Sequence, residues 1–315
     1  MRPGIDVEVH EVGPRDGLQS IPTVFTTEAK LAWIRAEAAA GVAEIEVGSF
    51  VPPKLLPQMA DAAEVVARAR EIEGLTVSAL VPNFKGATNG FAAHPHKLNY
   101  VLSVSEAHNQ SNVRRSVQES LDDFARIIDY RNADPQLRDI VVASGVATSF
   151  GCTISGPVPV ADVMRVAEGL LARGADELAV ADTVGYGNPR QVKALFTELF
   201  ATIGSDVSVV AHFHDTRGLG LANVTAALEA GVRKFDASLG GLGGCPYAPG
   251  ATGNIVMDDL VFMLESMGLR TGVDLDRLLE AREIMETSLR GEPTHGAYAK
   301  AGPPKGFVPA SAVAE

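Results

Sequence analysis

The sequence predicts a (β/α)8 barrel on the basis of two observations. Strand-like and helix-like segments alternate along the 315-residue chain in eight consecutive units. No linker or break in composition divides these units, which favours one closed barrel over a doubly wound sheet. We therefore expect a single barrel domain over residues 1–290, followed by an irregular tail over residues 291–315 that is rich in Gly, Pro and Ala.

Short runs rich in β-branched residues predict the strands. The first run, VEVHEV, leads into GPRDGLQ, a stretch punctuated by Gly and Pro that predicts a turn. The eight predicted strands span residues 7–12, 43–50, 76–82, 98–105, 139–148, 176–185, 207–214 and 234–241.

Helical patterns fill the intervals between the strands. The first helix is predicted near residues 27–40, with Thr26 or Thr27 as its N-cap and Gly41 at its end. The following barrel helices are predicted near residues 58–71, 86–93, 112–132, 160–173, 189–203, 217–230 and 253–267. An additional C-terminal helix is predicted near residues 275–289.

Composition and charge exclude several classes of function. The chain carries a formal net charge of −12, and long-range repulsion opposes binding to nucleic acids or anionic membranes. No apolar run is long enough to span a bilayer, and strand-like sequence begins too early for a signal or transit peptide. The two cysteines, Cys152 and Cys245, are too few for a disulfide framework. We therefore expect a cytoplasmic protein with no nucleic-acid or membrane partner.

Ionisable and hydroxyl side chains gather where the predicted strands end, which is where barrels of this kind carry their chemistry. These residues are Glu11, Arg15, Asp16, Glu46, Ser49, Ser105, Glu106, Asp182, Thr183, His212, His214 and Asp215. Buried charges are costly unless they are paired or bind a metal. Glu46 and Asp182, which have apolar neighbours, therefore indicate either a ring of salt bridges or a functional site, and the whole set favours a site.

Two histidines near the end of strand 7 predict a metal site. His212 and His214 are two residues apart, so on a strand their imidazoles point to the same side. With Asp16 they form a set of two histidines and one carboxylate, which suits a divalent ion that keeps open positions for substrate. His94 and His96 have the same spacing but lie in a connection, where we expect them to face solvent.

The glycine-rich stretch SLGGLGGCPYAPGATGN, residues 238–254, predicts a loop that can close over a ligand. A phosphate cradle is the rival interpretation, but neither GxxxxGK[ST] nor a full GxGxxG is present. Cys245 in such a loop is better explained as a positioned acid than as a core thiol. Asn254 is equally suited to cap the next helix or to offer an oxygen ligand to the metal.

Five ordered motifs resemble those of the 3-hydroxy-3-methylglutaryl-CoA (HMG-CoA) lyase family. They are VGPRDGLQ (12–19), IEVGSF (45–50), ADTVG (181–185), HFHD (212–215) and GGLGGCPYAPGATGN (240–254). The family belongs to the metal-dependent TIM-barrel lyases and Claisen-type synthases, and the cysteine motif separates the lyases from the synthases. The resemblance extends from about residue 7 to about residue 290.

The resemblance implies a role for each matching residue. The ligands of Mg²⁺ or Mn²⁺ would be Asp16, His212, His214 and Asn254. Arg15 would stabilise an enolate, and Cys245 would be the catalytic cysteine of a mobile loop. The acidic residues that affect catalysis would be Glu46 and Asp182, and Glu11 occupies another acidic family position.

The implied reaction is metal-dependent cleavage of HMG-CoA, or of a homologue with a longer 3-alkyl group. The products would be acetyl-CoA and a 3-keto acid such as acetoacetate, as in leucine degradation. Candidates for the base are Asp16, His212 and Asp182, and Cys245 is the candidate proton donor. The family also implies a homodimer or a larger homo-oligomer.

Two alternatives to the lyase are open at this point. One is a Claisen-type acyl-CoA condensing synthase of the same superfamily, although such chains usually carry additional C-terminal regions. The other is a catalytically silent barrel that serves as a binding protein, which predicts the loss of a ligand or an acid. Asp258 stands where family members often carry Glu, and RGLGLAN (217–223) and SEAHNQSN (105–112) also differ from vertebrate lyases, which leaves the acyl group open.

Overall fold

The structure, a computed structural model, describes residues 2–243, 253–289 and 291–312. Within these ranges, eight parallel strands close into a barrel in sequence order, with β1 paired to both β2 and β8. The strands are β1 (Glu8–Glu11), β2 (Glu44–Ser49), β3 (Thr76–Val81), β4 (Lys97–Ser103), β5 (Val141–Ala147), β6 (Glu177–Asp182), β7 (Ser208–Phe213) and β8 (Lys234–Ala237). The predicted (β/α)8 barrel is therefore confirmed.

Helices pack around the outside of the barrel, and those that precede β8 connect successive strands. They are α1 (Thr27–Ala39), α2 (Ala62–Ala69), α3 (Phe84–Ala92), α4 (Glu106–Val113), α5 (Val117–Ala133), α6 (Val160–Leu171), α7 (Pro189–Ile203), α8 (Gly220–Glu229), α9 (Met257–Ser266), α10 (Leu275–Ser288) and α11 (Tyr298–Ala301). The Thr26 side chain accepts a hydrogen bond from the Ala29 N–H and so caps α1. None of the helices in the described part of the chain is long and apolar enough to cross a membrane.

Several predicted elements have different limits in the structure, and for two of them the local backbone gives the reason. The helix predicted near residues 112–132 is wrong in its first turn, because α4 ends before Arg114, which adopts a left-handed φ of 57°. A capping box formed by Ser116 and Glu119 then starts α5. The strand predicted over residues 234–241 stops at Ala237, since the glycines that follow it have positive φ angles and form a short 3-10 turn.

The tail packs on the barrel more closely than its composition predicts. Tyr298 of α11 is buried and stacks on Phe262 of α9, with ring centroids 4.9 Å apart. Phe307 contacts the same Phe262 ring edge-on at 5.1 Å. The described part of the tail is thus an outer layer over α9.

The two ends of the barrel interior differ in chemistry. At the amino end, the first residues of five strands form a charged floor that consists of Glu8, Glu44, Lys97, Glu177 and Lys234. Lys97 pairs with Glu44 at 2.7 Å and also with Glu177, and Lys234 pairs with Glu177 at 2.8 Å. Because these charges are paired with one another, the cost of burying them is offset. Barrels of this kind carry their chemistry at the opposite, carboxyl end.

Candidate active site

Three predicted metal ligands meet at the carboxyl end of the barrel. His212 lies on β7, His214 directly follows that strand, and Asp16 lies in a π-helical turn after β1. One ligand atom from each residue lies within 4.8 Å of the others, and the two Nε2 atoms of the imidazoles are 3.1 Å apart. All three side chains have little access to solvent, and their ligand atoms are close enough to bind one ion.

Asn254 completes this group from the far side of the glycine-rich loop. It forms an isolated β-bridge with His214, and its Nδ2 donates hydrogen bonds to Asp16 Oδ2 at 2.7 Å and to the Leu242 carbonyl at 3.1 Å. Its Oδ1 is buried and has no hydrogen-bond partner among the described residues. Of the two roles open for Asn254, capping is not the one it takes, because α9 begins only at Met257.

This donor set suits a divalent cation. Burial, together with the neighbouring His212, lowers the pKa of His214 to about 4, so its imidazole is neutral and keeps a lone pair for a metal. Burial raises the pKa of Asp16, but Arg15 and the neighbouring imidazoles outweigh this effect and hold that pKa below its ordinary value. An anionic carboxylate, imidazole nitrogens and an amide oxygen are compatible with Mg²⁺, Mn²⁺ or a similar ion.

The turn Gly13–Gly17 presents Arg15 and Asp16 together. The Asp16 N–H donates to the Val12 carbonyl at 2.6 Å, which holds the turn against the end of β1. Arg15 Nη1 donates to Asp16 Oδ1 at 2.7 Å, and Arg15 Nε donates to Glu46 Oε2. A Cβ at Gly13 would collide with three neighbouring side chains, so the turn requires glycine there.

Glu46 points into the site from β2 and is held on both sides. Its Oε1 accepts a hydrogen bond from Asn99 Nδ2 on β4 at 2.8 Å, while its Oε2 accepts from Arg15. Burial raises the pKa of Glu46, although Arg15 opposes that rise. Asn99 was not identified from the sequence; the available signal was a single amide within the otherwise largely apolar strand LNYVLS.

Asp182 and Glu11 lie at strand ends, but their oxygens are occupied by backbone N–H groups. Asp182 accepts from Tyr186 at 2.8 Å and from Gly187 at 2.9 Å, which shapes the loop after β6. Glu11 accepts from Gly13 and from Leu239, the latter at 2.9 Å, and it faces Glu37 of α1 rather than the imidazoles. The structure thus brings Asp16, His212, His214, Asn254, Arg15 and Glu46 together and sets Glu11 behind them.

Two residues beneath the histidines were also missed. Asp236 on β8 lies 3.1 Å from His212 Nδ1, and His10 on β1 lies 3.6 Å from the other oxygen of Asp236. Burial disfavours a charge on His10, but Glu44, Asp236 and Glu8 raise its pKa to about 9. The sequence does show ionisable residues at alternate positions of strands 1 and 8. It does not show that these residues lie side by side in the barrel.

The remaining predicted residues lie outside this cluster or outside the described residues. Cys245 falls outside the described residues. His94 is exposed as expected, whereas His96 is partly buried, because its Nδ1 accepts the Val77 N–H at 2.9 Å. Asp258 does not reach the site either; it is buried and pairs with Arg282 of α10 at 3.1 Å.

An open cavity lies at the same rim, next to the loop that Asp182 shapes. Its volume is about 460 Å³, and its lining includes Phe150, Tyr186, Gln191 and Arg217. The Arg217 guanidinium lies 4.6 Å from the centre of the Tyr186 ring and donates to the Val184 and Gly185 carbonyls. The cavity therefore combines apolar and aromatic surface with one fixed cation.

A buried set of two imidazoles, a carboxylate and an amide at the carboxyl end of a closed parallel barrel defines a metal-binding (β/α)8 enzyme. The chain belongs to the HMGL-like family, whose sequence model matches residues 6–285.

Characterised relatives resemble this chain along most of its length. It is 41% identical over 287 residues to a hydroxymethylglutaryl-CoA lyase of Bacillus subtilis, covering 91% of this chain and 94% of the relative. It is 39% identical to the hydroxymethylglutaryl-CoA lyase of Pseudomonas mevalonii, covering 87% and 89%. An (R)-citramalyl-CoA lyase of Chloroflexus aurantiacus is 38% identical, covering 94% and 95%.

A solved structure shows the same architecture. The HMG-CoA lyase of Acinetobacter baumannii, in complex with coenzyme A and 3-methylmalate, matches with a TM-score of 0.89 and 40% identity, covering 98% of this chain and 99% of that one. Together the comparisons confirm the predicted carbon–carbon lyase and do not favour the synthase or the silent barrel.

Proposed function

We propose that this chain cleaves HMG-CoA, or a homologue with a longer 3-alkyl group, to acetyl-CoA and acetoacetate or the corresponding 3-keto acid. The observation that carries this proposal is the meeting of Asp16, His212 and His214 within 4.8 Å, beside the buried Arg15. The lyases among its relatives support the choice of substrate.

The proposed metal is Mg²⁺ or Mn²⁺, and its proposed ligands are Asp16, His212, His214 and Asn254. When bound, such an ion supplies a Lewis acid that holds the substrate hydroxyl and carboxylate oxygens and lowers the pKa of the hydroxyl. The unpartnered Oδ1 of Asn254 and the facing Nε2 atoms of the imidazoles support this assignment.

Arg15 is proposed to stabilise the negative charge that moves onto the thioester oxygen as the C2–C3 bond breaks. Its guanidinium is charged throughout the working pH range, and Glu46 and Asp16 fix its orientation. A donor that is already oriented costs little reorganisation when the charge develops, so it acts mainly on the transition state.

Proton transfer needs a base for the hydroxyl and an acid for the departing carbon. The candidate bases are Asp16, His212 and Asp182, and burial raises the pKa of Asp182, which brings it nearer to the range useful for a base. The proposed acid is Cys245, whose thiol would give its proton to the C2 carbon and so release acetyl-CoA. Glu11 is proposed to act indirectly, through the turn that it holds.

The cavity beside Tyr186 and Arg217 is proposed to receive the coenzyme A portion of the substrate. Its fixed cation suits a phosphate or a pantetheine carbonyl, and its aromatic surface suits an apolar chain. Arg217→Ala is expected to raise KM for the thioester several-fold and to leave kcat nearly unchanged. A matched control is Arg190→Ala, an exposed arginine outside this cavity.

We also propose a lyase domain over residues 1–290, a homodimer or a larger homo-oligomer, a cytoplasmic location and a role in leucine degradation. Light scattering on purified protein tests the oligomeric state directly.

A panel of 3-hydroxyacyl-CoA esters tests the proposed reaction. Purified protein is stripped of metal, reloaded with Mg²⁺ or Mn²⁺, and assayed for acetyl-CoA release from HMG-CoA, from longer 3-alkyl homologues and from (R)-citramalyl-CoA. We expect cleavage of HMG-CoA or a homologue that depends on added metal. If no 3-hydroxy-3-alkylglutaryl-CoA ester is cleaved with either metal, the proposal is overturned.

The role of Cys245 is tested separately. Cys245→Ala is expected to bind HMG-CoA normally and to turn over about 10²–10⁴-fold more slowly, because a general acid is lost. Cys152→Ala is the matched control, since it removes the other cysteine of the chain. Turnover of Cys245→Ala at the wild-type rate would remove this residue from the mechanism.

A further inference from the structure

Three ionisable residues of adjacent strands lie at one level inside the barrel. In the strand register, Asp236 of β8 is the direct partner of His212 on β7 and also of His10 on β1. Directly paired residues of neighbouring strands project their side chains to the same face. The row His10, Asp236 and His212 therefore runs across the barrel wall and ends at His212, one of the proposed metal ligands.

The contacts within this row are directional. Asp236 Oδ2 lies 3.1 Å from His212 Nδ1, and Asp236 Oδ1 lies 3.6 Å from His10 Nδ1. The other nitrogen of His10, Nε2, lies 3.8 Å from Glu8 Oε2 on the charged floor. One carboxylate thus lies between two imidazoles, and the second imidazole ties it to the paired charges below.

This arrangement determines which nitrogen of His212 is free to bind an ion. A carboxylate can only accept, so a neutral His212 in contact with Asp236 carries its proton on Nδ1 and keeps the lone pair on Nε2. Nε2 is also the atom that faces His214 Nε2 at 3.1 Å. Carboxylates that orient metal-binding histidines in this way typically change metal affinity by about 10–100-fold when they are mutated.

We propose that Asp236, held in place by His10, is a positioning residue that fixes His212 in the tautomer with a free Nε2 and so prepares the metal site. The inference deepens the proposed function and rests on its metal ligands, but it makes a separate claim. It concerns the protonation of one imidazole in the metal-free protein, which does not depend on which thioester is cleaved.

The direct test is the tautomer of His212 in metal-free protein. With ¹⁵N-labelled histidine, long-range ¹H–¹⁵N spectra distinguish a protonated Nδ1 from a protonated Nε2, and His212→Gln assigns the signal. We expect wild-type His212 to carry its proton on Nδ1. The spectra are recorded at a pH where His212 is neutral. A neutral wild-type His212 that carries its proton on Nε2 and none on Nδ1 would overturn the proposal without the need for any further variant.

Asp236→Asn tests the consequence for metal binding. Its amide can donate as well as accept, so we expect a mixture of tautomers and Mn²⁺ binding about 10–100-fold weaker by electron paramagnetic resonance titration. Glu265→Gln is the matched control, because Glu265 is a buried carboxylate that instead binds Thr271 and Ser311, away from the site. The control is expected to retain wild-type Mn²⁺ affinity.

A second variant guards against misfolding of Asp236→Asn. His10→Gln leaves Asp236 and His212 in place but removes the imidazole that ties Asp236 to the floor, and a several-fold loss of Mn²⁺ affinity is expected. Wild-type Mn²⁺ affinity and an unchanged tautomer in folded Asp236→Asn would contradict the proposal, even if the protein proves to be the proposed lyase. Conversely, a wild-type protein that binds Mn²⁺ in this way but cleaves no ester would contradict only the proposed function.

Discussion

Two carboxylates pair with the guanidinium of Arg15, which explains how this cation can be both buried and oriented. It donates to Asp16 and Glu46, and Asn99 holds Glu46 from the opposite side. An arginine paired in this way loses little conformational freedom when substrate binds, because its planar fork is already fixed. The same contacts bring it next to the proposed metal ligand Asp16.

Arg15→Gln is predicted to lower kcat by about 10²–10³-fold, as the loss of one preorganised donor to a developing oxyanion typically does. Mn²⁺ affinity should change little, since the three proposed ligands with ionisable side chains and Asn254 all remain. Steady-state kinetics and a Mn²⁺ titration of the same preparation provide the comparison. A large loss of Mn²⁺ binding would refute the assignment of Arg15 to the enolate.

Residue types and their spacing predicted the upper part of the site but not the part beneath it. His212, His214, Asp16, Arg15 and Glu46 meet as expected, because strand ends of a parallel barrel converge on one face. Asp236 and its partner His10 were missed, as were Asn99 and Glu37. Alternation along a strand gives the side on which a residue lies, but only the barrel register shows which residues become neighbours.

The glycines that flank the loop after β8 are the elements that bring Asn254 to the site. Gly253 has a φ of +94°, and a Cβ there would collide with the carbonyl oxygens of Gly241 and Gly243. Gly243 itself lies against the Asn254 side chain. Close approach of backbone to backbone thus positions the proposed amide ligand, and only glycine permits it.

Gly253→Ala is predicted to displace Asn254, weaken Mn²⁺ binding and destabilise the fold by about 1–3 kcal/mol. Gly268→Ala is the matched control, because Gly268 has a similar φ of +82° but no neighbour within 4 Å of the added Cβ. The control should lose only about 1–2 kcal/mol, from backbone strain, and should bind Mn²⁺ normally. Chemical denaturation and the Mn²⁺ titration measure both effects, and equal Mn²⁺ affinity in the two variants would contradict this account.

Element limits were predicted well where a pattern of apolar residues marks them and poorly where a turn depends on backbone angles. The Thr26 cap and Gly41 correctly bracket α1, because both signals are local. The break between α4 and α5 depends on the left-handed Arg114, a residue type that does not mark such a turn. The prediction therefore merged the start of α5 with the end of α4.

In the whole molecule, paired charges lie at the amino end of the barrel and the candidate site lies at the carboxyl end.

Between the barrel and α1 lies a buried pair of acidic residues, Glu11 and Glu37. Burial raises the pKa of Glu11 to about 7, and burial together with the charge of Glu11 raises the pKa of Glu37 well above its ordinary value. Asp258 adds to the rise in the pKa of Glu11, while the hydrogen bond with Glu37 and the Gly13 and Leu239 N–H groups oppose that rise. The Trp33 indole opposes the rise in the pKa of Glu37.

This pair predicts a pH dependence of stability. The unfolded chain releases both protons near pH 4.5, whereas in the folded chain the pKa of Glu11 is about 7 and the pKa of Glu37 is also well above its ordinary value. The free energy of unfolding therefore falls as the pH rises above 4.5. Glu37→Gln removes one of the two carboxyls. It should unfold like the wild type near pH 4 and be more stable than the wild type by about 1–3 kcal/mol at pH 8.

The measurement is urea denaturation of both proteins at several values of pH between 4 and 8. The free energy of unfolding of the wild type is subtracted from that of Glu37→Gln at each pH. This subtraction cancels the contributions of carboxylates whose pKa is lowered in the folded state, such as Glu8 on the floor. A difference that stays constant across this range, or that favours the wild type at pH 8, would contradict the raised pKa of the pair.

For the molecule as a whole, the sequence predicted the closed barrel and the family. Eight uninterrupted βα units and five ordered motifs are properties of the whole chain. It did not predict that the tail folds back on α9 through Tyr298, since the composition of that segment indicates only turns. Packing of a tail depends on a receiving surface elsewhere, which no local pattern reveals.

The most direct test of the account is the product balance of metal-loaded protein given HMG-CoA. Wild-type protein and His214→Ala are both incubated with Mg²⁺, and acetyl-CoA and acetoacetate are measured together. We predict equal amounts of the two products from the wild type, none from metal-free protein, and a loss of both from His214→Ala. Undiminished cleavage by His214→Ala, or intact HMG-CoA and longer homologues after incubation with the loaded wild type, would contradict the central claim.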